Sequence, residues 1–235
     1  YSRAKKLNMQ ADASRVTMIV ESENGRDSNA LEMVRTYVGS AGDDFVTEVD
    51  EDNVIVVHDV SGGNAQEEIT RTAVEMAAHL EKEGLHGVRV AFGTVVREIK
   101  EVSRSYKEAK MALDVGKIFF DGRKVICYSE LGIGRLIYQL PIPLCKMFIK
   151  EIFGGRNPDD FDEETLTTID KFFENNLNVS ETSRQLFIHR NTLVYRLDKL
   201  QKSTNLDLRV FEDAITFKIA LMVVKYMNYM EKFEY

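Results

Sequence analysis

The sequence predicts an α+β domain followed by an all-α domain. Strand and helix patterns alternate up to about residue 130, and only helical patterns follow. The length of 235 residues is enough for two modest hydrophobic cores. The first domain has the order β-α-β-β-α-β, with one more helix and strand appended. This order is typical of a two-layer sandwich in which helices cover one face of a mainly antiparallel sheet.

Apolar spacing predicts the first half of the α+β domain. Residues 15–20 (RVTMIV) form an apolar run of strand type, and residues 28–38 place apolar side chains on one helical face. Residues 44–50 alternate apolar and polar side chains, as half-buried strands do, and residues 54–60 form another strand. The short acidic turn between these two strands predicts a hairpin.

The second half of this domain contains two more helices and two more strands. The helix that follows residue 64 carries a single apolar stripe, which consists of Ile69, Ala73, Met76, Ala77 and Leu80. Residues 87–93 are predicted to form a strand, and residues 123–128 are predicted to close the domain as another. Between these strands, a stripe from Ile99 to Leu113 predicts a helix that ends at Gly116.

Helical patterns alone continue after Glu130. We assign residues 1–130 to the α+β domain, residues 131–158 to a helical linker and residues 159–235 to the all-α domain. Helices of the last domain are predicted at 161–175, 179–186, 189–200 and 211–230.

The composition excludes several classes of protein. The two cysteines form no C-x-x-C motif, so a structural zinc or a disulfide framework is not expected, and scattered thiols fit a reducing cytoplasm. The longest stretch without charge, residues 136–145, is too short to span a membrane, and we expect no secretory signal because no apolar run follows residues 1–6. The chain lacks an initiator methionine, so we expect a piece of a longer protein from which an N-terminal part is missing.

Residues 178–202 carry the most informative pattern. Asn178 is a capping residue for a short helix, and only Phe187 and Ile188 separate this helix from the next. The second helix has one buried stripe at helical spacing, formed by Leu193, Leu197 and Leu200. A short helix, a tight apolar turn and a second helix with one buried stripe predict a helix-turn-helix. A helix pair that serves packing alone is the alternative.

The second helix leaves hydrogen-bonding and cationic side chains outside. Arg190 and Asn191 are expected to contact base edges, because arginine can bond two acceptors of guanine and asparagine can pair with adenine. Thr192 and Tyr195 extend this face. Residues 178–202 contain five cationic and two acidic side chains, a balance of +3 in a chain of net charge −7. Phosphate contacts are expected from Arg184, His189, Arg196 and Lys199, although Arg196 has an alternative role in tying helices together.

Residues 186–208 (LFIHRNTLVYRLDKLQKSTNLDL) resemble the C-terminal helix-turn-helix of bacterial regulators of carbohydrate-diacid use and purine catabolism. The matching motifs are L-F-I-H-R-N-T-L, Y-R-L and N-L-D-L. The segment R-N-T-L is also similar to the recognition helix of the factor for inversion stimulation, which implies that His189, Arg190, Thr192 and Tyr195 face DNA. Phe187 stands where many helix-turn-helix proteins carry glycine.

The resemblance also implies the fold and the function of the whole chain. The preceding domain of that family is similar to diguanylate cyclases, which implies a degenerate GGDEF-like α/β sandwich. We therefore expect a cytoplasmic, sequence-specific regulator that binds double-stranded DNA, forms a homodimer and contacts no membrane. Sugar-diacid genes are the expected targets, and purine-catabolism genes are the alternative. A small-molecule effector is expected to bind the family's N-terminal sensor domain, which is absent here.

We expect no catalytic residue, cofactor or metal. The hairpin turn from Asp50 to Asn53 is acidic but lacks the glycines that a working cyclase needs for close approach to phosphate. The segment 61–64 (SGGN) lacks the lysine of a phosphate loop. A module for oligomerisation or signalling without DNA binding remains an alternative, because the last helix is apolar at Ile215, Ile219, Met222, Val223, Tyr226, Met227 and Met230.

Overall fold

A computed structural model describes residues 13–23, 29–39, 44–50, 53–60, 65–154 and 161–232. The chain divides into two compact units, residues 1–136 and residues 137–235. The first unit contains a β-sheet with helices, and the described part of the second is all-α. The predicted fold class is therefore confirmed.

The described part of the first unit contains five strands and three helices of nine or more residues. The strands are β1 (Arg15–Glu21), β2 (Phe45–Asp50), β3 (Asn53–Asp59), β4 (Arg89–Phe92) and β5 (Val125–Cys127). The helices are α1 (Ala30–Val38), α2 (Ala65–Lys82) and α3 (Val102–Phe119), and α4 (Ile133–Ile137) lies at the boundary of the two units. The second unit consists of α5 (Ile142–Phe153), α6 (Glu163–Glu174), α7 (Val179–Gln185), α8 (Arg190–Thr204) and α9 (Phe211–Glu231).

The five strands form one mixed sheet in the order β2-β3-β1-β4-β5. Strand β1 runs antiparallel to both β3 and β4, and β2 pairs antiparallel with β3, which confirms the predicted hairpin. Among the described strands, only β5 runs parallel to its neighbour, β4. Because β1 lies at the centre, it is buried along nearly its whole length, which accounts for its continuous apolar pattern.

Helices lie on both faces of the sheet, so the expectation that they cover one face is wrong. Alternate residues of β1 point to opposite faces. The hydroxyl of Thr17 donates to the carbonyl of Val102, 3.4 Å away, at the start of α3. The other face of β1 packs in a core with Ile69, Met76 and Leu80 of α2, through Val16, Met18 and Val20.

Strand β5 shows the same division. The thiol of Cys127 lies 3.1 Å from the side-chain amide of Gln66 on α2. The preceding residue, Ile126, lies against Gly116 of α3. The predicted end of this helix at Gly116 is also wrong, because the missing side chain makes room for Ile126 while the helix continues to Phe119.

Helix α3 approaches the sheet closely at Gly93. A Cβ atom on this residue would lie 2.2 Å from the backbone oxygen of Ser105, so the sheet accepts only glycine here without a shift. The hydroxyl of Ser105 accepts a hydrogen bond from the backbone N–H of Thr17 at 2.9 Å and donates to the carbonyl of Thr94 at 2.8 Å. Polar contacts therefore anchor α3 where its backbone approaches the sheet too closely for an apolar side chain to lie between them.

The second unit has its own core around α9. Phe153, at the end of α5, packs edge-on against Phe217 of α9, with ring centroids 5.6 Å apart. Thus α5, which lies in the segment predicted as a linker, joins the core of the second unit. Val223 and Tyr226 of the apolar last helix are buried, so these two side chains pack in the core. Within the described residues, no helix is long and apolar enough to cross a membrane.

A half-buried ion pair links β3 to the residue that precedes β2. Nδ1 of His58 lies 2.7 Å from Oδ2 of Asp44, and Oδ1 of Asp44 accepts the backbone N–H of Asp59 at 2.8 Å. The hydrogen bond to Asp44 raises the pKa of His58 above its ordinary value, although burial of the ring opposes this rise. The pair therefore stabilises the fold while His58 is protonated, which is fully so below the unfolded pKa of about 6.5.

We expect Asp44→Asn to destabilise the first unit by about 1–3 kcal/mol at about pH 6, because the charge-assisted hydrogen bond is lost. The asparagine oxygen can still accept from Asp59. The difference from wild type should shrink as the pH rises through the raised pKa of His58, since neutral histidine gains less from the carboxylate. Denaturant unfolding across this pH range measures it, and Glu48→Gln on β2 is the control. A loss that is independent of pH would contradict the prediction.

Candidate nucleic-acid interface

Helices α7 and α8 form the predicted helix-turn-helix. Asn178 caps α7, and its side-chain oxygen accepts the backbone N–H of Glu181 at 3.0 Å. On α7, Thr182 and Ser183 are buried. On α8, the buried residues are Leu193, Leu197, Leu200 and Thr204, which extends the predicted stripe by one turn. The apolar stripe faces the core, so the opposite side of α8 is left to solvent.

The turn between these helices is a Schellman motif with phenylalanine at its left-handed position. Phe187 has a φ of 54°, and its N–H donates to the carbonyl of Arg184 at 3.2 Å. The N–H of Ile188 donates to the carbonyl of Ser183 at 3.0 Å, which completes the motif. Phe187 thus adopts the conformation that favours glycine, and its side chain is 96% exposed.

His189 is the N-cap of α8. Its Nδ1 accepts the backbone N–H of Asn191 at 3.2 Å, which in the neutral ring leaves the proton on Nε2. The ring is exposed, so Nε2–H remains available as a donor. The first turn of α8 contains no acidic residue, whereas the first turns of α6, α7 and α9 each contain at least one. The positive end of the α8 dipole is therefore not neutralised by its own helix.

Arg190 joins the two helices of the motif and remains exposed. Its Nη1 donates to the hydroxyl of Ser180 on α7 at 2.9 Å, and its other guanidinium donors have no hydrogen-bond partner among the described residues. Ser180 was missed by the sequence reasoning, and the spacing of ten residues offers no helical signal for this contact. The hydrogen bond orients Arg190 along the surface that contains the α8 N-terminus.

The exposed face of α8 continues beyond its first turn. Asn191, Thr192 and Tyr195 are exposed, with 68% of Tyr195 accessible. Lys202, which was not among the predicted DNA-facing residues, lies seven residues after Tyr195 and so shares its side of the helix; this spacing is visible in the sequence. Lys199 and Lys202 are exposed and form no ion pair within the described part of the chain.

Both arginines that were predicted to bind phosphate form ion pairs within the protein. Arg184 is exposed and pairs with Glu181 on its own helix at 2.7 Å, and this hydrogen bond raises the pKa of Arg184. Arg196 is only 23% exposed at its side chain. Its Nη1 donates to the hydroxyl of Thr168 at 3.0 Å, and its Nη2 pairs with the carboxylate of Glu164, both on α6. Arg196 therefore has the alternative contact expected for it, a tie between helices.

An open groove of about 550 Å³ lies between the start of α6 and α8. Asp162 and Glu164 line it on one side, and Thr192, Tyr195 and Lys199 line it on the other. Asp162 caps α6 by accepting the N–H of Thr165 at 2.7 Å. Hydrogen bonds from Thr165 lower the pKa of Asp162, and the charges of Lys199 and Arg196 lower it further. Acidic and basic side chains therefore face each other beside the exposed face of α8.

The loop that begins with N-L-D-L (residues 205–208) contacts the C-terminal half of α8. Asn205 ends the helix with a φ of 61°, in the left-handed conformation that asparagine tolerates. Arg209 makes two contacts with the carboxylate of Asp207, at 2.7 and 3.0 Å, and reaches Asp198 of α8 at 2.9 Å. These contacts raise the pKa of Arg209. The loop after α8 is thus tied back to the helix by ion pairs.

The acidic hairpin turn considered for a cyclase lies largely outside the described residues. This applies to Glu51 and Asp52, to the side chain of Asp50 and to the segment 61–64. Across the described ranges, no group of three or more histidine, cysteine, aspartate or glutamate side chains is arranged to hold a metal ion.

Two family models match the chain. A GGDEF-like domain matches residues 1–115, and the PucR C-terminal helix-turn-helix domain matches residues 165–223. The second match begins within α6 and ends within α9. It therefore includes α7, α8 and the whole exposed face described above.

Characterised proteins are similar over different lengths. The carbohydrate diacid regulator of Escherichia coli (strain K12) is 27% identical over 229 residues, which cover 94% of this chain and 60% of that protein. The purine catabolism regulatory protein of Bacillus subtilis (strain 168) is 25% identical over 142 residues, 59% of this chain and 27% of that protein. A solved regulator of polyketide synthase expression from Bifidobacterium adolescentis has 17% identity and a TM-score of 0.40, with 95% of this chain and 89% of that chain covered.

The order of the matched domains agrees with the order of the two structural units, because the GGDEF-like match lies in the unit with the sheet and the helix-turn-helix match lies in the all-α unit. The chain spans less than two thirds of the length of either regulator. This chain therefore carries a GGDEF-like domain followed by a PucR C-terminal helix-turn-helix domain, and it is similar in both to bacterial regulators of the PucR type.

Proposed function

We propose that this chain is the DNA-binding part of a transcriptional regulator and that α8 reads an operator in the major groove. The observation that carries this proposal is the N-terminus of α8, which is exposed, has no acidic residue in its first turn and presents His189, Arg190 and Asn191 together. Recognition helices of this motif place their N-terminal residues against base edges. The proposed site of action is the cytoplasm, where the operator lies.

The exposed side chains divide into two proposed roles. Arg190 and Asn191 contact base edges, because their donors and acceptors match guanine and adenine, and Thr192 and Tyr195 lie beside them. His189 donates from Nε2 to a phosphate, and Lys199 and Lys202 add charge along the backbone. Arg184 is a further phosphate ligand, since its ion pair with Glu181 is exposed to solvent and so contributes little to stability.

The protein is further proposed to act as a homodimer on two half-sites. Three apolar side chains at the start of α9, Val210, Phe211 and Ile215, are exposed and offer a surface for a second copy. Two recognition helices about 34 Å apart would then read successive major grooves. The GGDEF-like domain is proposed to support assembly or signal transmission, without catalysis.

The proposed targets are genes for the use of sugar diacids, and purine-catabolism genes are the alternative. The similarity to the carbohydrate diacid regulator supports the first, because it extends over 94% of this chain, compared with 59% for the purine regulator. The effector is proposed to bind a sensor domain outside this chain. Thermal unfolding of the full-length protein with sugar diacids or with purines tests this, because a bound effector raises the melting temperature. Stabilisation by purines alone would favour the alternative.

Arg190→Ala and Lys199→Ala should have different effects on DNA binding. Loss of Arg190 should remove about 1–3 kcal/mol of sequence discrimination, because a bidentate base contact is lost. Loss of Lys199 should weaken binding to all duplexes alike and reduce the slope of log K against log salt by about one. Fluorescence anisotropy over a salt titration measures both quantities.

The control for these two variants is Lys225→Ala, which removes an exposed lysine from α9 instead of α8. It should leave both discrimination and salt dependence unchanged. Identical behaviour of the Arg190 and Lys199 variants would refute the division into base and phosphate contacts.

His189 offers a second test, because it combines a structural bond with a proposed contact. His189→Asn should keep the N-cap, since asparagine is a favoured capping residue, but lose the Nε2–H donor. Its affinity for DNA should fall by about 1 kcal/mol at unchanged thermal stability. His189→Ala should lose the same affinity and also about 1 kcal/mol of stability. Wild-type affinity in His189→Asn would refute the phosphate contact, and equal stability of the two variants would refute the cap.

A further inference from the structure

Helices α6 and α8 are packed at one end and bridged at the other. Near the C-terminal end of α6, Ile169 and Phe172 belong to the same apolar core as Leu193 and Leu197 of α8. Toward the start of α6 this packing gives way to the open groove of about 550 Å³. A groove of this size admits water, so apolar contacts do not fix the distance between the two helices there.

Arg196 bridges the two helices beside this groove. Its guanidinium makes two contacts with α6, one with the hydroxyl of Thr168 at 3.0 Å and one with the carboxylate of Glu164. The hydroxyl of Thr168 in turn donates to the backbone carbonyl of Glu164 at 2.8 Å, which fixes its orientation. Thr168 is 97% buried, as its exposed fraction of 3% shows. The planar guanidinium of Arg196 is therefore held by a hydroxyl acceptor that is buried and fixed in orientation.

We propose that Arg196 is a positioning residue, and that Thr168 and Glu164 hold it so that α8 keeps the orientation needed for base recognition. This inference rests on the proposed function of α8 as a recognition helix. It assigns Arg196 no phosphate contact, in contrast to the expectation from the sequence. Its effect reaches DNA only through the placement of Arg190 and Asn191, which lie one to two turns earlier on the same helix.

A positioning role and a phosphate contact of Arg196 predict different changes in sequence discrimination and salt dependence. A phosphate contact adds the same affinity to every duplex and one counterion to the salt dependence. The orientation of α8 instead affects the base contacts, because these require well-aligned donors and acceptors, whereas contacts to the backbone tolerate small rotations. Loss of the bridge should therefore reduce discrimination between sequences and spare sequence-independent binding.

Thr168→Val tests this inference without altering any charge or any exposed residue of α8. The probes are the duplex that the wild-type chain enriches most strongly from a random-sequence library and a scrambled duplex of equal length. We expect affinity for the enriched duplex to fall by roughly tenfold, at the lower end of what one bidentate base contact contributes. Affinity for the scrambled duplex and the salt slope should stay unchanged. Thr167→Val, the same substitution at the exposed neighbouring position, is the matched control and should resemble wild type.

Arg196→Met is the second test, because methionine keeps an unbranched aliphatic side chain but lacks the guanidinium group. Positioning predicts a loss of discrimination at an unchanged salt slope, whereas equal weakening of both duplexes with a slope reduced by about one would overturn the inference in favour of a phosphate contact. Binding of Thr168→Val that matches Thr167→Val would also overturn it. If the wild-type chain enriches no sequence from the library, both the proposed function and this inference fail. If the wild-type chain enriches a sequence and the variants discriminate between the two duplexes as well as wild type does, only this inference is refuted.

Discussion

The one-sided burial of α8 determines the arrangement of the candidate interface. Leu193, Leu197 and Leu200 lie in the core of the second unit, so the rotation of the helix about its axis is fixed. Rotation by one residue would move this stripe into water at a cost of about 1.5–3 kcal/mol for each leucine. Because the stripe cannot turn away from the core, Asn191 and Tyr195 must face solvent. The function of the surface thus depends on an apolar contact on the opposite side of the helix.

The ends of the helices add a second constraint. Phe187 adopts a left-handed conformation that costs roughly 1 kcal/mol more than it would for glycine, and its side chain makes almost no compensating contact. The Schellman hydrogen bonds and the half-buried Ile188 hold the turn in place. Because the turn is short, His189 lies at the N-cap position of α8. The same backbone geometry therefore closes one helix and sets the exposed polar end of the next.

Periodic features could be predicted from the sequence, and long-range pairings could not. The stripe of α8, the hairpin of β2 and β3 and the element order follow from local spacing, which one segment reveals by itself. The position of α3 on the second face of the sheet depends on contacts between distant segments, although the unbroken apolar run of β1 was a signal for it. The partners of Arg196 lie about thirty residues away on α6, and no local pattern connects them. The contact of Ser180 with Arg190 escaped prediction for the same reason.

The acidic composition of the chain is compatible with a surface for a polyanion because three carboxylates of the helix-turn-helix unit are paired with arginines. Glu164 is paired with Arg196, Glu181 with Arg184 and Asp207 with Arg209, so these acids add little free negative charge to the surface. Lys199 and Lys202 have no such partner in the described ranges, and the α8 dipole adds partial positive charge at its exposed end. At physiological salt, charges beyond about 8 Å are largely screened. A phosphate close to α8 therefore responds to these nearby groups, and the net charge of −7 has little influence on it.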